Sequence, residues 1–192
     1  MTIIYLRKMS SCTDIQKSNL LKIRNDVDIR NNMFTDHIIT KSEHLEWLEC
    51  CENDPTKIIY LVLVDDLVRG MVALTGFDQR HLKSDWAFYF DKSFRGPIAA
   101  AVEYHFLNFV FKNKKIKKLN CQVIQTNNIA RRLHAKFGFS EEGFLRQNIV
   151  KNGNRMGVYL LGLTEEDWSS KNEKFYQKYC KALSCYHVVI EA

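Results

Sequence analysis

The order of helical and strand-like periodicities constrains the fold of this chain more than any other feature. Strand-like runs occur seven times, and stretches with apolar residues at helical spacing interrupt them. The order is one strand, two helices, three strands, a helix, a strand, a helix, two strands and a last helix. Because only two prolines and no low-complexity tract occur in 192 residues, we expect one domain over residues 1–192.

Cap and turn residues set several predicted boundaries. Thr13 is the predicted N-cap of a helix over Asp14–Asn25, and Ser42 begins a second helix that ends at Cys51. The pair Asn152-Gly153 predicts a tight turn between two strands.

The last predicted helix covers residues 165–186 and forms a C-terminal helical extension with an aromatic stripe. Such a stripe is typical of core or dimer contacts, so a homodimer stays open. The whole pattern predicts an α/β (α+β) fold, with a mixed, mostly antiparallel central sheet of about seven strands and helices on both faces.

Composition is typical of a soluble globular protein. Apolar residues make up 46% of the chain, and runs such as Tyr60–Val64 are far too short to span a bilayer. The first residues lack the layout of a signal peptide, so we expect a cytoplasmic protein without a membrane partner. Six cysteines show no metal-ligand spacing, which predicts reduced thiols and no metal. Cys121 lies in an apolar strand pattern, which favours a buried structural thiol over a nucleophile.

The net charge of +6 is concentrated in one short segment. No spacing typical of a nucleic-acid-binding motif accompanies it, so we expect no nucleic-acid partner. A solvated loop is the favoured interpretation, and help in binding a phosphorylated ligand is the alternative. The segment contains Lys112, Lys114, Lys115, Lys117 and Lys118.

A glycine turn between a strand and a helix predicts an anion site. Backbone N–H groups at a helix N-terminus bind anions, and Arg95 adds a positive charge beside Gly96. Pro97 supplies no donor, so the N–H groups of Arg95, Gly96, Ile98 and Ala99 are the candidates. A plain turn is the alternative.

The most specific motif is NNIARRLHAKFGF, residues 127–139, which ends in a glycine typical of a helix C-terminus. With the element order, it resembles the GNAT superfamily of acyl-CoA-dependent N-acyltransferases over Met9 to Leu163. The family helix reads Asn-x-x-Ala-x-x-Leu-Tyr-x-Lys-x-Gly-Phe. Six of these seven positions match, and the tyrosine is replaced; the residues are Asn127, Ala130, Leu133, His134, Lys136, Gly138 and Phe139.

The resemblance implies acyl-CoA, either acetyl-CoA or a longer acyl such as hydroxybutanoyl-CoA, as the co-substrate. The family's glycine-rich turn is altered here, since Ser93 replaces its leading Gln/Arg and Ile98 its second small residue. The implied CoA-binding residues are Tyr89, Phe90, Arg95, Gly96, Pro97, Ile98, Ala99, Asn127 and Arg131.

The resemblance also implies direct attack of an amine on the thioester carbon. A backbone N–H near Tyr89 or Phe90 would polarise the thioester oxygen. His134 would protonate the departing thiolate, with a pKa near 6.5, and Asp85 would take the amine proton through water. We expect Leu133 and Phe137 to face the core and so to turn His134 toward the sheet edge; a surface histidine without a role is the alternative.

The N-terminal half is similar to the amino-sugar N-acetyltransferases of the pseudaminic acid pathway. This implies a dTDP- or UDP-linked amino-deoxy sugar as acceptor, in the biosynthesis of a cell-surface glycan such as lipopolysaccharide O-antigen or capsule. Open alternatives are a ribosomal-type protein N-terminal amine acetyltransferase and a degenerate, non-catalytic GNAT binding domain. The matching residues are Arg24, Asn25, Met33, Phe34, His44 and Trp47, of which Met33 and Trp47 equally suit a core.

Overall fold

The computed structural model describes residues 1–191, which form eight strands and six α-helices. The strands are β1 (Thr2–Lys8), β2 (Ile58–Val64), β3 (Leu67–Asp78), β4 (Lys83–Phe90), β5 (Lys118–Ile124), β6 (Ser140–Lys151), β7 (Asn154–Thr164) and β8 (Tyr186–Ile190). The helices are α1 (Asp14–Asn25), α2 (Val27–Arg30), α3 (Lys41–Asn53), α4 (Pro97–Asn113), α5 (Asn128–Phe137) and α6 (Glu165–Leu183).

All eight strands of residues 1–191 form one sheet, in the order β6-β7-β5-β4-β3-β2-β1-β8. The pairs β1–β8 and β4–β5 are parallel and the other pairs are antiparallel. The predicted mixed, mostly antiparallel sheet is therefore confirmed. The eighth strand was not predicted, because Tyr186–Ile190 is short and follows α6 directly; it pairs with β1 at the sheet edge.

Helices cover both faces of the sheet, as predicted. Alternate residues of β2 enter different cores: Tyr60 and Val62 pack on the side of α4, α5 and α6, whereas Leu61 and Leu63 pack against α1 and α3. This explains the continuous apolar run of β2, which lies inside the sheet and is buried on both faces.

Local signals placed most boundaries correctly. Thr13 caps α1 in a reciprocal capping box with Gln16, as expected. The cap of α3 is Thr40, not Ser42, because the Thr40 side chain accepts from the N–H of Glu43. Asn152 and Gly153 have φ values of 49° and 75°, which suits a two-residue hairpin turn and confirms that prediction.

Candidate active site

The sheet opens where β4 and β5 separate. Lys83–Asp85 pair with residues 118–120, and neither strand pairs with the other beyond that point. A cleft of about 700 Å³ occupies the opening. Its lining is drawn from residues 28–33, 86–90, 94–99, 121–123 and 127–136.

The separation leaves backbone groups of β4 without a strand partner. The N–H of Asp91 donates to the carbonyl of Arg69 on β3, so by alternation Tyr89 also faces β3. The N–H groups of Phe88 and Phe90 therefore face the cleft. The sequence predicted that a backbone N–H near Tyr89 or Phe90 polarises the thioester oxygen. The N–H groups of Phe90 and Phe88 are the candidates in the structure, and the N–H of Tyr89 is excluded because it faces β3.

The turn before α4 leaves helix donors open. Gly96 is the N-cap with a φ of 73°, and no side chain caps this end among the described residues. A Cβ placed on Gly96 would meet no atom within 4 Å, so the space above it is open. The N–H groups of Ile98 and Ala99 lie in the first turn, where no intrahelical acceptor exists. This arrangement suits a pyrophosphate.

Neighbouring residues fix this turn. The carboxylate of Asp91 accepts hydrogen bonds from the N–H groups of Ser93 and Phe94, at 2.8 and 3.0 Å. Arg95 contacts the Asp28 carboxylate at 3.5 Å, which ties the turn to α2. Part of the Arg95 charge is therefore balanced by Asp28.

Helix α5 forms the opposite wall of the cleft. Asn127 lines the cleft, and its side-chain oxygen accepts from the N–H of Ala130, which caps the helix. Arg131 lies over the ring of Tyr159, 4.4 Å from its centre, and is not among the lining residues. Arg132 and Lys136 line the cleft instead. The sequence motif marked Lys136 but gave no reason to choose Arg132 over Arg131.

His134 lies inside the protein, not at the sheet edge. His134 and Phe137 are the buried residues of α5, because a spacing of three places them on one face of the helix. The imidazole is 3% exposed, packs between Phe88 and Phe139, and still borders the cleft. The expected orientation toward the sheet edge is therefore wrong, and so is the surface-histidine alternative.

Two chemically active groups contact His134. Its Nε2 lies 3.3 Å from the Sγ of Cys121, and its Nδ1 lies 3.3 Å from Oε1 of Glu103. Burial alone lowers the pKa of His134, but the contacts with Cys121 and with the Glu103 carboxylate outweigh burial and raise that pKa to about 10. His134 is therefore an imidazolium at neutral pH, which corrects the expected value near 6.5.

Asp85 does not reach the cleft. It is the last residue of β4 that pairs with β5, and its exposed side chain lies beside Gly76 on the face opposite Trp86. Strand alternation causes this, because odd residues of β4 point away from α4 and α5. A role for Asp85 as the proton acceptor therefore has no support from its position.

The six predicted acceptor-binding residues divide into three groups, and only Met33 borders the cleft. The side-chain amide of Asn25 donates a hydrogen bond to the carbonyl of Ile39 and accepts one from the N–H of Ile39, each at 2.8 Å. The ring of His44 is buried, contacts the carbonyl of Lys17 at 2.9 Å and stacks on Trp47. Asn25, His44 and Trp47 thus make structural contacts and do not line the cleft, a distinction that sequence similarity could not make.

The segment after α2 consists of residues 31–40. Phe34 lies in this segment and Arg24 contacts it, but neither residue lines the cleft. Nη2 of Arg24 donates to the Thr35 hydroxyl at 3.2 Å. Its Nη1 is buried and has no hydrogen-bond partner within residues 1–191. Burial lowers the pKa of Arg24. Phe34 is exposed.

Lys151 holds the segment after α2 in place and was not anticipated from the sequence. Its ammonium donates to the carbonyls of Arg30 and Met33, at 2.9 and 2.7 Å. The hairpin tip of β6 and β7 therefore fixes the segment that forms one wall of the cleft. The distance of 118 residues between Lys151 and Met33 explains why no local pattern indicated this contact.

Comparison with known proteins decides the family. A family model described as an acetyltransferase (GNAT) domain matches residues 12–157. The chain belongs to this GNAT acetyltransferase domain family. It is thus an acyl-CoA-dependent N-acyltransferase, and the cleft between β4 and β5 is its candidate active site.

Two curated relatives come from Bacillus subtilis (strain 168). The SPbeta prophage-derived uncharacterized N-acetyltransferase YokL is 29% identical over 146 residues, which cover 74% of this chain and 82% of the relative. The protein named "Putative ribosomal N-acetyltransferase YdaF" is 23% identical over 57% of this chain and 61% of its own length.

A solved structure confirms the fold. The spermidine N-acetyltransferase of Vibrio cholerae, in complex with CoA and spermine, matches with a TM-score of 0.76 at 18% identity. The match covers 86% of this GNAT chain and 98% of that one. At this identity the similarity concerns the fold alone. Within residues 1–191, no helix is both long and apolar enough to cross a membrane.

Proposed function

We propose that this GNAT domain binds acyl-CoA along the separation of β4 and β5 and transfers the acyl group to a primary amine. The observation that carries the proposal is the open first turn of α4, with Gly96 at its cap and, in the part of the chain that the structure describes, no side chain capping it. Arg132 and Lys136 border the same cleft and suit the phosphate groups of CoA. These features support acyl-CoA as the co-substrate and count against a non-catalytic binding domain.

In the proposed mechanism, each group of the cleft has one step. Backbone N–H groups of Phe88 and Phe90 would donate to the thioester oxygen, where negative charge develops. The His134 imidazolium would protonate the CoA thiolate as it departs. Binding both reactants in one cleft supplies part of the rate enhancement over the reaction in solution. Asp85 is left out of this mechanism.

A nucleotide-linked amino-deoxy sugar is the acceptor class that we propose. Its support is the similarity of residues 24–47 to amino-sugar N-acetyltransferases and the Nη1 of Arg24, which has no hydrogen-bond partner within the described residues 1–191 and suits an anionic phosphate. Such an acceptor would place the enzyme in cell-surface glycan biosynthesis. We also propose that the chain is organised as a single domain with a C-terminal helical extension.

A protein N-terminal amine is the second candidate acceptor. The observation favouring it is the relative named as a ribosomal N-acetyltransferase, whose match covers about three fifths of that relative.

An acceptor panel tests the proposal. Purified protein with acetyl-CoA would be given dTDP- and UDP-linked amino sugars, peptides with free N-termini and spermidine, and N-acylated products would be measured by mass spectrometry. We expect the highest kcat/KM with an amino-sugar nucleotide. A higher kcat/KM for a peptide would favour the second candidate, and one for spermidine would overturn both acceptor assignments.

A further inference from the structure

A carboxylate is buried beside the proton donor of the proposed reaction. Oε1 of Glu103, on α4, lies 3.3 Å from Nδ1 of His134. Glu103 is 1% exposed, and neither of its carboxylate oxygens accepts a hydrogen bond within residues 1–191. In that part of the chain, the His134 ring is the only cationic group that contacts this carboxylate.

Core packing does not account for Glu103. The other buried residues of α4 are apolar or aromatic, among them Val102 and Phe106. A buried carboxylate with a single ion-pair contact costs free energy that an apolar side chain of similar size would avoid. Charged groups retained in such positions beside a cleft are characteristic of functional sites.

The two ring nitrogens of His134 have different surroundings. Nε2 lies 3.3 Å from the Sγ of Cys121, which lines the cleft together with His134. Nδ1 faces Glu103, which is not among the lining residues. An imidazolium carries a proton on each nitrogen, and sulfur is a weak acceptor. The proton on Nε2 is therefore the more weakly held of the two, and it lies on the side of a residue that borders the cleft.

We propose that Glu103 is the positioning residue of His134. It holds the ring and its positive charge through Nδ1, so that the proton on Nε2 is the one that the CoA thiolate receives. This inference rests on the proposed function and keeps the direct attack of the amine on the thioester. It adds a residue that lies outside the sequence motif of α5.

The protons of this step balance without a covalent enzyme intermediate. The neutral amine attacks the thioester carbon, the bond between that carbon and the CoA sulfur breaks, and Nε2 gives its proton to the sulfur. The nitrogen of the new amide releases one proton to solvent, and the ring takes one up from solvent. Glu103 remains a carboxylate throughout, as does the carboxylate that orients a catalytic histidine in the hydrolase triads.

Few groups near the ring can influence its charge. Within residues 1–191, the titratable groups that contact it are Cys121 on β5 and Glu103 on α4, and its neighbours Phe88 and Phe139 are aromatic. Burial lowers the pKa of His134, and the contacts with Cys121 and Glu103 raise it. Glu103→Gln removes the carboxylate charge and keeps the shape of the side chain, so it isolates the contribution of that charge.

Titration of the His134 ring by NMR tests the contact without any substrate. The ring resonance is assigned by its absence from the spectrum of His134→Ala. In wild type the ring should stay protonated above about pH 8, because the carboxylate favours the imidazolium. In Glu103→Gln the midpoint should lie about two pH units lower or more. Glu103→Asp keeps the charge and should titrate closer to wild type.

The dependence of kcat on pH tests the consequence for the reaction. With an ordinary histidine pKa of about 6.5, only about 3% of the rings would be protonated at pH 8, so Glu103→Gln should lower kcat there roughly 30-fold. The KM for acyl-CoA should not change. A purely structural role would lower activity at every pH and leave the alkaline limb where it is. Glu165→Gln is the matched control, because Glu165 pairs with Lys117 and does not line the cleft.

Three results would overturn the inference. The first is a wild-type ring that loses its proton between about pH 6 and pH 7, which needs no variant. The second is the same ring titration in Glu103→Gln as in wild type, and the third is an unchanged kcat of that variant at pH 8. A protein that acetyl-CoA does not protect against thermal unfolding would contradict the proposed function instead, so the two failures are distinguishable.

Discussion

At the scale of single residues, His134 shows what a sequence motif can and cannot specify. The motif placed a proton donor at this position of α5, but Glu103 lies 31 positions earlier in the chain on another helix, and no local pattern indicates that the two meet. The pKa of His134 depends on that contact, so its direction could not be predicted from the motif.

The first prediction concerns replacement of this donor. His134→Ala should lower kcat by about 10²- to 10⁴-fold with little change in acyl-CoA affinity, because a general acid acts in the transition state. An imidazolium donates only below its pKa, so the wild-type rate should fall as pH rises through about 10. His134→Tyr should recover part of the rate and decline in a similar pH range, since an ordinary tyrosine pKa is also about 10.

The measurement is kcat against pH for the three proteins. A wild-type rate that already falls between about pH 6 and pH 7, around the ordinary histidine pKa, would show that Glu103 does not hold the proton on His134.

The second prediction separates two roles of Arg24. If its buried Nη1 contacts an anionic group of the acceptor, Arg24→Ala should raise the acceptor KM more than the acyl-CoA KM. Thr35→Val is the matched control, because it removes the hydrogen bond between Arg24 and Thr35 and leaves the charge. Equal increases in acceptor KM for both variants would mean that Arg24 only holds the chain segment after α2.

At the scale of elements, the open end of α4 is the feature on which CoA binding depends. The third prediction compares Gly96→Val with Gly153→Val, since both glycines have nearly equal φ, at 73° and 75°, and both have open space around the Cβ position. Each change should strain the backbone and lower stability. Gly96→Val alone should also block the approach of the pyrophosphate to the helix donors.

Thermal unfolding with and without acetyl-CoA measures the difference. At a ligand concentration about a hundredfold above its Kd, wild type and Gly153→Val should gain about 2.7 kcal/mol. Gly96→Val should gain much less. Equal gains for the two variants would place CoA elsewhere.

The fourth prediction concerns the contact between two distant elements. Lys151→Met removes the ammonium that binds the carbonyls of Arg30 and Met33 while keeping a long side chain. The wall formed by the segment after α2 should loosen, so we expect a higher acceptor KM and unchanged protection by CoA. Because this wall contains Met33, a predicted acceptor-binding residue that lines the cleft, a loss of CoA protection would mean that the wall contacts CoA instead.

Elements were predictable to the extent that their signals are local. The capping box at Thr13 and the turn at Asn152-Gly153 follow from adjacent residues, so the sequence indicated both. The orientation of Asp85 and the contact of Lys151 depend on strand pairing and on the packing of distant segments. Those features needed the structure.

At the scale of the whole molecule, one topological feature creates the site. A parallel pair of strands inside a mostly antiparallel sheet separates after three residue pairs, and the cleft forms between the free strand ends. The alternation of helices and strands predicted the sheet and its covered faces. The point at which the two strands separate cannot be predicted from the periodicity of the sequence, because both strands remain mostly apolar beyond it.

The central claim is that this cleft transfers an acyl group from CoA to an amine. The most direct measurement counts free CoA thiol and N-acylated product in the same reaction, for wild type and Gly96→Val, with the preferred acceptor of the panel. The account predicts equal amounts of thiol and product in wild type, release of thiol that depends on the amine, and little of either in Gly96→Val. Sustained thiol release that no amine accelerates, or equal turnover by both proteins, would contradict it.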